Sequence, residues 1–209
     1  LVQRLRWGVI LVLALVLSYR FVDLVWGAFA YPFYMGTDHG ALGHTNDDVA
    51  IASKTIGVLM IIIGSAIGAA ALLFIGRMAC LVIGAFAAAL TNLLFADLAT
   101  GGAGMDAFLA FTGLGGPLQC FAGFIAGLFG YPFNPEHSER LARLIAAIAG
   151  ENIAVGFASV AIMAYMTSIV NPRFAAVQYA LLASLTMMIG SLGRAPLGAM
   201  IETDGFHDV

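Results

Sequence analysis

Charge is what this chain lacks. Only 10% of its residues are Asp, Glu, Lys or Arg, against about 25% in soluble domains, while 61% are hydrophobic. An ordinary cytosolic globule is excluded on that ground. Lys plus Arg number nine and the net charge is −3, so no basic surface speaks for nucleic acid as a partner. Cysteine is scarce too. Cys80 and Cys120 lie far apart in apolar surroundings, which reads as two small buried hydrophobes rather than a disulfide framework or a metal site. No GxSxG, HExxH, Walker A or strand-to-helix GxGxxG is written here, so soluble-type catalysis has no motif support. No alternation of strand type appears either, and a helical membrane protein is the remaining class. Its first partner is the lipid bilayer.

Apolar runs divide the chain into five expected spans. Trp7 to about Phe33 is the first, closed by Tyr31-Pro32-Phe33 with aromatics placed as an interface belt. Val49 to Ile75 is the second, and Gly76-Arg77 turns it into the third, Met78 to about Leu98. Leu141 to Val170 is the fourth, broken by Asn171-Pro172-Arg173, and Phe174 to about Leu192 is the fifth. Residues 99–138 form an insert expected to hold short interfacial or re-entrant helices, because Gly113 to Pro117 interrupts its apolar stretch. Leu1 runs straight into the first span with no small-residue cleavage site, so a removable signal peptide is not expected.

Arg4 and Arg6 precede the first span, and Arg77 and Arg173 lie in the turns after the second and fourth. The loops 36–48 and 97–138 contain no Lys or Arg. The positive-inside rule therefore puts the N-terminus in the cytoplasm and both loops outside, with Arg140 and Arg143 dissenting. Five spans opening on Leu1 rather than Met lead us to expect part of a larger bundle.

Ionisable groups inside hydrocarbon cost a few kcal/mol each and mark polar routes. Tyr19, Asp23, Trp26 and Ala30 recur at spacings that share one helical face, and Arg20 is within reach of Asp23. This reads as a cavity-lining stripe with a protonatable carboxylate, or as an ion pair that locks the helix. Lys54 sits near the outer end of the second span. It either snorkels, pairs with Asp23 or holds an anionic substrate group. Gly57, Gly64 and Gly68 give that span a small-residue packing face. Glu151 and Asn152 lie a third of the way into the fourth span, where the carboxyl is either a neutral hydrogen-bonded group or a proton carrier. Asn152, Val155 and Ser159 share a face. Gln178 and Tyr179 open the fifth span, at the inner mouth or merely at the interface. The loop carrying Asp38, His39, His44, Asp47 and Asp48 has no familiar ligand spacing and is expected to be solvated.

At these residues the sequence resembles the second half of AmpG-type muropeptide permeases. The resemblance rests on Tyr19-Arg20-x-x-Asp23, Lys54-Thr55-Ile56-Gly57, Glu151-Asn152-x-x-x-Gly156, the run Phe174 to Leu182, and Gly193-Arg194 with Glu202-x-x-Gly205. It covers residues 1–98 and 139–209. These permeases belong to the major facilitator branch that also holds acetyl-CoA transporters. The resemblance implies an all-α integral membrane protein, part of the C-terminal six-helix half of a twelve-helix bundle. Residues 1–98 would be helices seven, eight and nine, and 139–209 helices ten and eleven. It also implies import of anhydromuropeptides across the bacterial inner membrane for peptidoglycan recycling, driven by a proton gradient with no cofactor. The first and fourth helices of such a half line the cavity, which would turn Arg20, Asp23, Glu151 and Asn152 towards an anionic sugar–peptide. The site would be completed by the N-terminal half. Another amphipathic anion such as acyl-CoA is the runner-up substrate; an intramembrane enzyme, or a five-helix channel or scaffold, is the runner-up class.

Overall fold

The computed structural model describes residues 8–19, 21–128, 130, 134–206 and 208. Among these, every regular element is helical. The first expected span is helical over α1 (Gly8–Tyr19) and α2 (Phe21–Trp26), on either side of Arg20, which lies outside the described residues, and breaks before a separate α3 (Ala30–Met35). Between α2 and α3 the hydrogen bonding tightens, with Ala28 N donating to Val25 O and Phe29 N to Trp26 O. Leu24 O thereby loses its partner four residues on. Arg194 reaches across from the far end of the chain and donates both Nε and Nη2 to it, each at 3.2 Å, as an orphaned carbonyl near a helix end requires.

A one-turn helix α4 (Asn46–Val49) leads into eight residues of π-helix, Ala50–Gly57, and then α5 (Val58–Ala99). The wide π turns were not foreseen, since apolar content alone does not distinguish them from α-helix. Gly76, at φ 77° and ψ 169°, breaks α5 in two. That backbone conformation is open to glycine and strained for other residues. The neighbours of the glycines reveal that α5 doubles back. In its first arm Gly64 faces Ile153 and Gly68 faces Phe157, so that arm runs parallel to α8 (Pro135–Ile169). In its second arm Gly84 faces Ala158, while Gly150 of α8 faces Thr91 and Leu94. The second arm is therefore antiparallel to α8, and α5 is a hairpin clasping it.

The same reasoning orients the rest. Tyr19 donates to Leu81 O at 3.0 Å and Trp26 stacks near Phe95, so α1–α2 runs parallel to the second arm. After the insert helices α6 (Ala103–Thr112) and α7 (Gly115–Leu128), α8, and a 3-10 turn at Pro172–Phe174, the chain ends in α9 (Ala175–Asp204). Gly190 of α9 meets Leu24, Gly193 meets Val25 and Phe21, and Gly198 meets Phe29. α9 thus runs parallel to α1–α2. Five arms alternate in direction.

Three of the described helices are long and apolar enough to cross a membrane: Asn46–Ala99, Pro135–Ile169 and Pro172–Asp204. The first is long enough for two crossings once folded at Gly76. α8 begins before Leu141, because Asn134 caps it through Glu136 N and Pro135 fits the first turn. α9 runs on past Leu192 and tolerates Pro196 inside it. Two apolar cores hold the arms together. One gathers Phe33, Tyr34, Phe95, Leu98, Leu141 and Ile148. The other gathers Val16, Cys80, Leu81, Phe157, Met166 and Leu182. Cys80 is buried, but Cys120 is exposed on α7, so only one of the two cysteines is a core hydrophobe.

Candidate functional site

The carboxyl groups singled out from the sequence lie on different arms, Asp23 on α2 and Glu151 on α8. Asp23 acts electrostatically on Glu151, and Glu151 in turn on the Tyr34 hydroxyl. Glu151 is partly buried and carries no hydrogen bond or ion pair with the described residues. Arg20 lies outside the described residues, and Asp23 has interactions of its own. The two acids thus ride on oppositely directed arms, within electrostatic reach of one another and of a phenol.

Lys54 rides on the exposed face of the π-helical turns with its Nζ 5.1 Å from the centroid of the Tyr31 ring. The Tyr31 hydroxyl is 3.3 Å from Ser53 Oγ. The cation therefore rests on an aromatic face, a contact of about 0.5–1 kcal/mol where solvent reaches it. No ion pair joins it to a carboxylate among the described residues.

Asn152 donates Nδ2 to Ile148 O at 2.7 Å, within its own helix, and its amide nitrogen would lie 3.3 Å from a Cβ at Gly57. Ser159 likewise turns back to Val155 O at 2.6 Å. Gly64 and Gly68 admit the α8 backbone: a Cβ at Gly64 would sit 2.8 Å from Ile153 Cα. Across that seam Ser65 Oγ donates to Gly156 O at 3.4 Å. Gln178 accepts from Asn171 N at 2.8 Å and so buttresses the turn before α9. Tyr19 and Tyr179 pack on the second core.

Trp26 faces elsewhere. It lies among Phe33, Phe95 and Phe206, at centroid distances of 5.4, 5.9 and 6.3 Å. Its indole Nε1 is buried without a hydrogen-bond partner among the described residues. An apolar cavity of about 460 Å³ opens beside it, walled by Val22, Phe95, Asn92, Pro196 and Met200. Of the face stripe read from the sequence, Trp26 lines this cavity. The sequence reading gave no role to Asn92, and it named Arg194 only within the family resemblance. Their signal was present as polar side chains inside apolar runs.

The expectation of a solvated loop fails at Asp48 and His44. Asp48 is 3% exposed, because it closes a reciprocal capping box with Thr45 at 3.2 Å in each direction. His137 Nε2 approaches it at 3.1 Å and His44 Nδ1 at 3.7 Å. This node ties the loop to the start of α8. Among the described residues no group of three or more His, Cys, Asp or Glu is placed to hold a metal ion.

Fold and site together describe a helical chain with membrane-length arms and one acid on each of α2 and α8. Comparison with known proteins points the same way. The chain is 24% identical over 195 residues, 93% of its length, to a Rickettsia conorii protein named "Putative transporter AmpG 4". The same figures hold for its namesake in Rickettsia felis. It spans 37% of the length of those two relatives. No family model matches the chain, and no solved structure does.

Proposed function

We propose that this chain is part of a proton-coupled secondary transporter that imports anhydromuropeptides across the bacterial inner membrane. In this reading it supplies five helices of the C-terminal half of a major facilitator bundle, with its N-terminal end in the cytoplasm. The observation that carries the proposal is that Asp23 and Glu151 stand on two separate arms within electrostatic reach of one another. Two carboxylates within such reach repel unless a proton or a cation intervenes. They sit on arms of opposite direction, so protonation changes the force between two elements that alternating access has to move. The named relatives support the transporter class.

Lys54 provides an attractive charge for a carboxylate-bearing substrate, since its present partner is the uncharged side chain of Tyr31 and a stronger counter-charge would displace it. Arg20 is the second candidate for that role. The rest of the bundle completes the substrate site.

A specific observation favours a second reading. The cavity beside Trp26 is mostly apolar and suits the tail of an amphipathic anion such as an acyl-CoA.

The test is uptake driven by an imposed pH gradient, measured for the parent protein and for Asp23→Asn and Glu151→Gln. The proposal expects each substitution to uncouple uptake from the gradient. Intact pH-driven uptake in both variants would end the coupling role of the pair.

A further inference from the structure

The segment between the hairpin and α8 takes no part in the transport reading. It starts where the second arm of α5 ends and finishes where α8 begins. Those two arms are antiparallel, by the contacts of Gly84 with Ala158 and of Gly150 with Leu94. Both ends of the segment therefore lie at the same end of the bundle. Its helices are 10 and 14 residues long and bent by 107° to one another. At 1.5 Å per residue the arms measure about 15 and 21 Å. A V of those dimensions reaches about 22 Å from tip to tip, short of the ~30 Å hydrocarbon core.

The V is nevertheless apolar on both sides. Met105, Leu109 and Ala122 are buried on its inner side. Phe108, Phe111, Phe121, Phe124 and Leu128 stand outward, Phe111 at 91% exposure and Phe124 at 64%. A helix that is apolar all round belongs in a core or in lipid. Its charged groups are on the bundle side. Asp97 accepts from Gly104 N and Met105 N at 2.8 and 2.7 Å. Arg143 holds Asp106 through two hydrogen bonds of 2.6 and 2.8 Å, and also reaches Glu139 at 2.5 Å. This accounts for one of the two arginines that defied the positive-inside pattern: Arg143 pins the V to α8. No Lys or Arg occurs from residue 78 to 139, so no cationic headgroup anchor lies on the V itself. The exposed side of the neighbouring arm, with Phe86, Leu90 and Leu93, is equally apolar, and the outward face continues that character.

We infer that α6 and α7 form a re-entrant wedge, with the outward aromatic face set among the phospholipid acyl chains of a single leaflet and both ends at one membrane surface. The inference stands apart from the transport reading. Only the name of the leaflet, outer, depends on the orientation proposed above.

Spin labels test it in the full chain reconstituted in phosphatidylcholine vesicles, with Cys120 replaced by Ala and the buried Cys80 retained. Labels at Phe111→Cys and Phe124→Cys should collide several-fold more with oxygen, which concentrates in hydrocarbon, than with a water-soluble nickel chelate. A label at exposed Glu136→Cys should show the opposite preference. Thr100→Cys and Glu136→Cys should both react with a membrane-impermeant maleimide from the same face. Nickel-dominated collisions at 111 and 124 would put the wedge in water, and low collision with both reagents would put it under protein. Labelling of positions 100 and 136 from opposite faces would make the segment a crossing. Each of those three results overturns the inference.

Discussion

Alanine at Gly64 is the sharpest probe of the helical clasp. Its methyl carbon would lie 2.8 Å from both Ile153 Cα and Ile153 C, and closer still to the carbonyl oxygen. Carbon atoms rest at about 3.5–4.0 Å, so the first arm of α5 and α8 have to separate by about 0.7 Å or more. The obstructing atoms are backbone, and no side chain can rotate away. Overpacking of this kind costs about 1–3 kcal/mol. Separation also weakens the contact of Gly68 with Phe157 one turn along, and the reach of Ser65 Oγ to Gly156 O. Gly127→Ala is the control, for a Cβ there meets nothing within 4 Å, and replacing a helical glycine gains about 0.5–1 kcal/mol. Thermal unfolding in detergent, followed by a thiol-reactive dye reporting buried Cys80 after Cys120 is replaced by Ala, reads both variants. Gly64→Ala should lower the midpoint by several degrees, at about 2–4 °C per kcal/mol for a chain of this size. Gly127→Ala should leave the midpoint level or raise it. A Gly64→Ala midpoint at or above the parent would refute the close-packed seam.

Two further outcomes follow from single contacts. Arg194→Met keeps the bulk of the side chain but removes both donors to Leu24 O. It should cost about 0.5–1.5 kcal/mol for an exposed hydrogen-bonded cap and speed amide exchange around the α2–α3 turn; unchanged exchange there would make the cap irrelevant. Tyr31→Phe should retain the seat of Lys54 on the ring, whereas Tyr31→Leu should lose about 0.5–1 kcal/mol of stability; equal stabilities for the two variants would show that the aromatic face holds nothing.

Period and punctuation carried much of the fold. Gly76-Arg77 was legible as a turn because glycine ends a long apolar run there, and Gly64 with Gly68 advertised a packing face. Asn134-Pro135 was a readable helix start that apolar content alone had set too late, at Leu141. The break of the first span between α2 and α3 was not legible. It depends on a carbonyl, Leu24 O, finding its partner in Arg194, and pairings that distant leave no local pattern. The π-helical turns were hidden for the same reason, since Ala50–Gly57 reads locally as ordinary helix.

At the site, helical spacing gathered Tyr19, Asp23 and Trp26 on one face, and Tyr19 and Trp26 do meet the same arm, at Leu81 and at Phe95. Asp23 and Glu151 were legible as acids in separate apolar spans that the family resemblance turned towards one route. Asp48 was misjudged because a loop rich in Asp and His looks solvated, whereas the capping box with Thr45 and the approach of His137 bury it.

Uptake of labelled anhydromuropeptide into vesicles carrying the whole transporter, with and without a protonophore, tests the central claim most directly. The account predicts accumulation that collapses when the protonophore is added and that an unlabelled acyl-CoA does not displace. Accumulation indifferent to the protonophore, or none from a folded preparation, would contradict it.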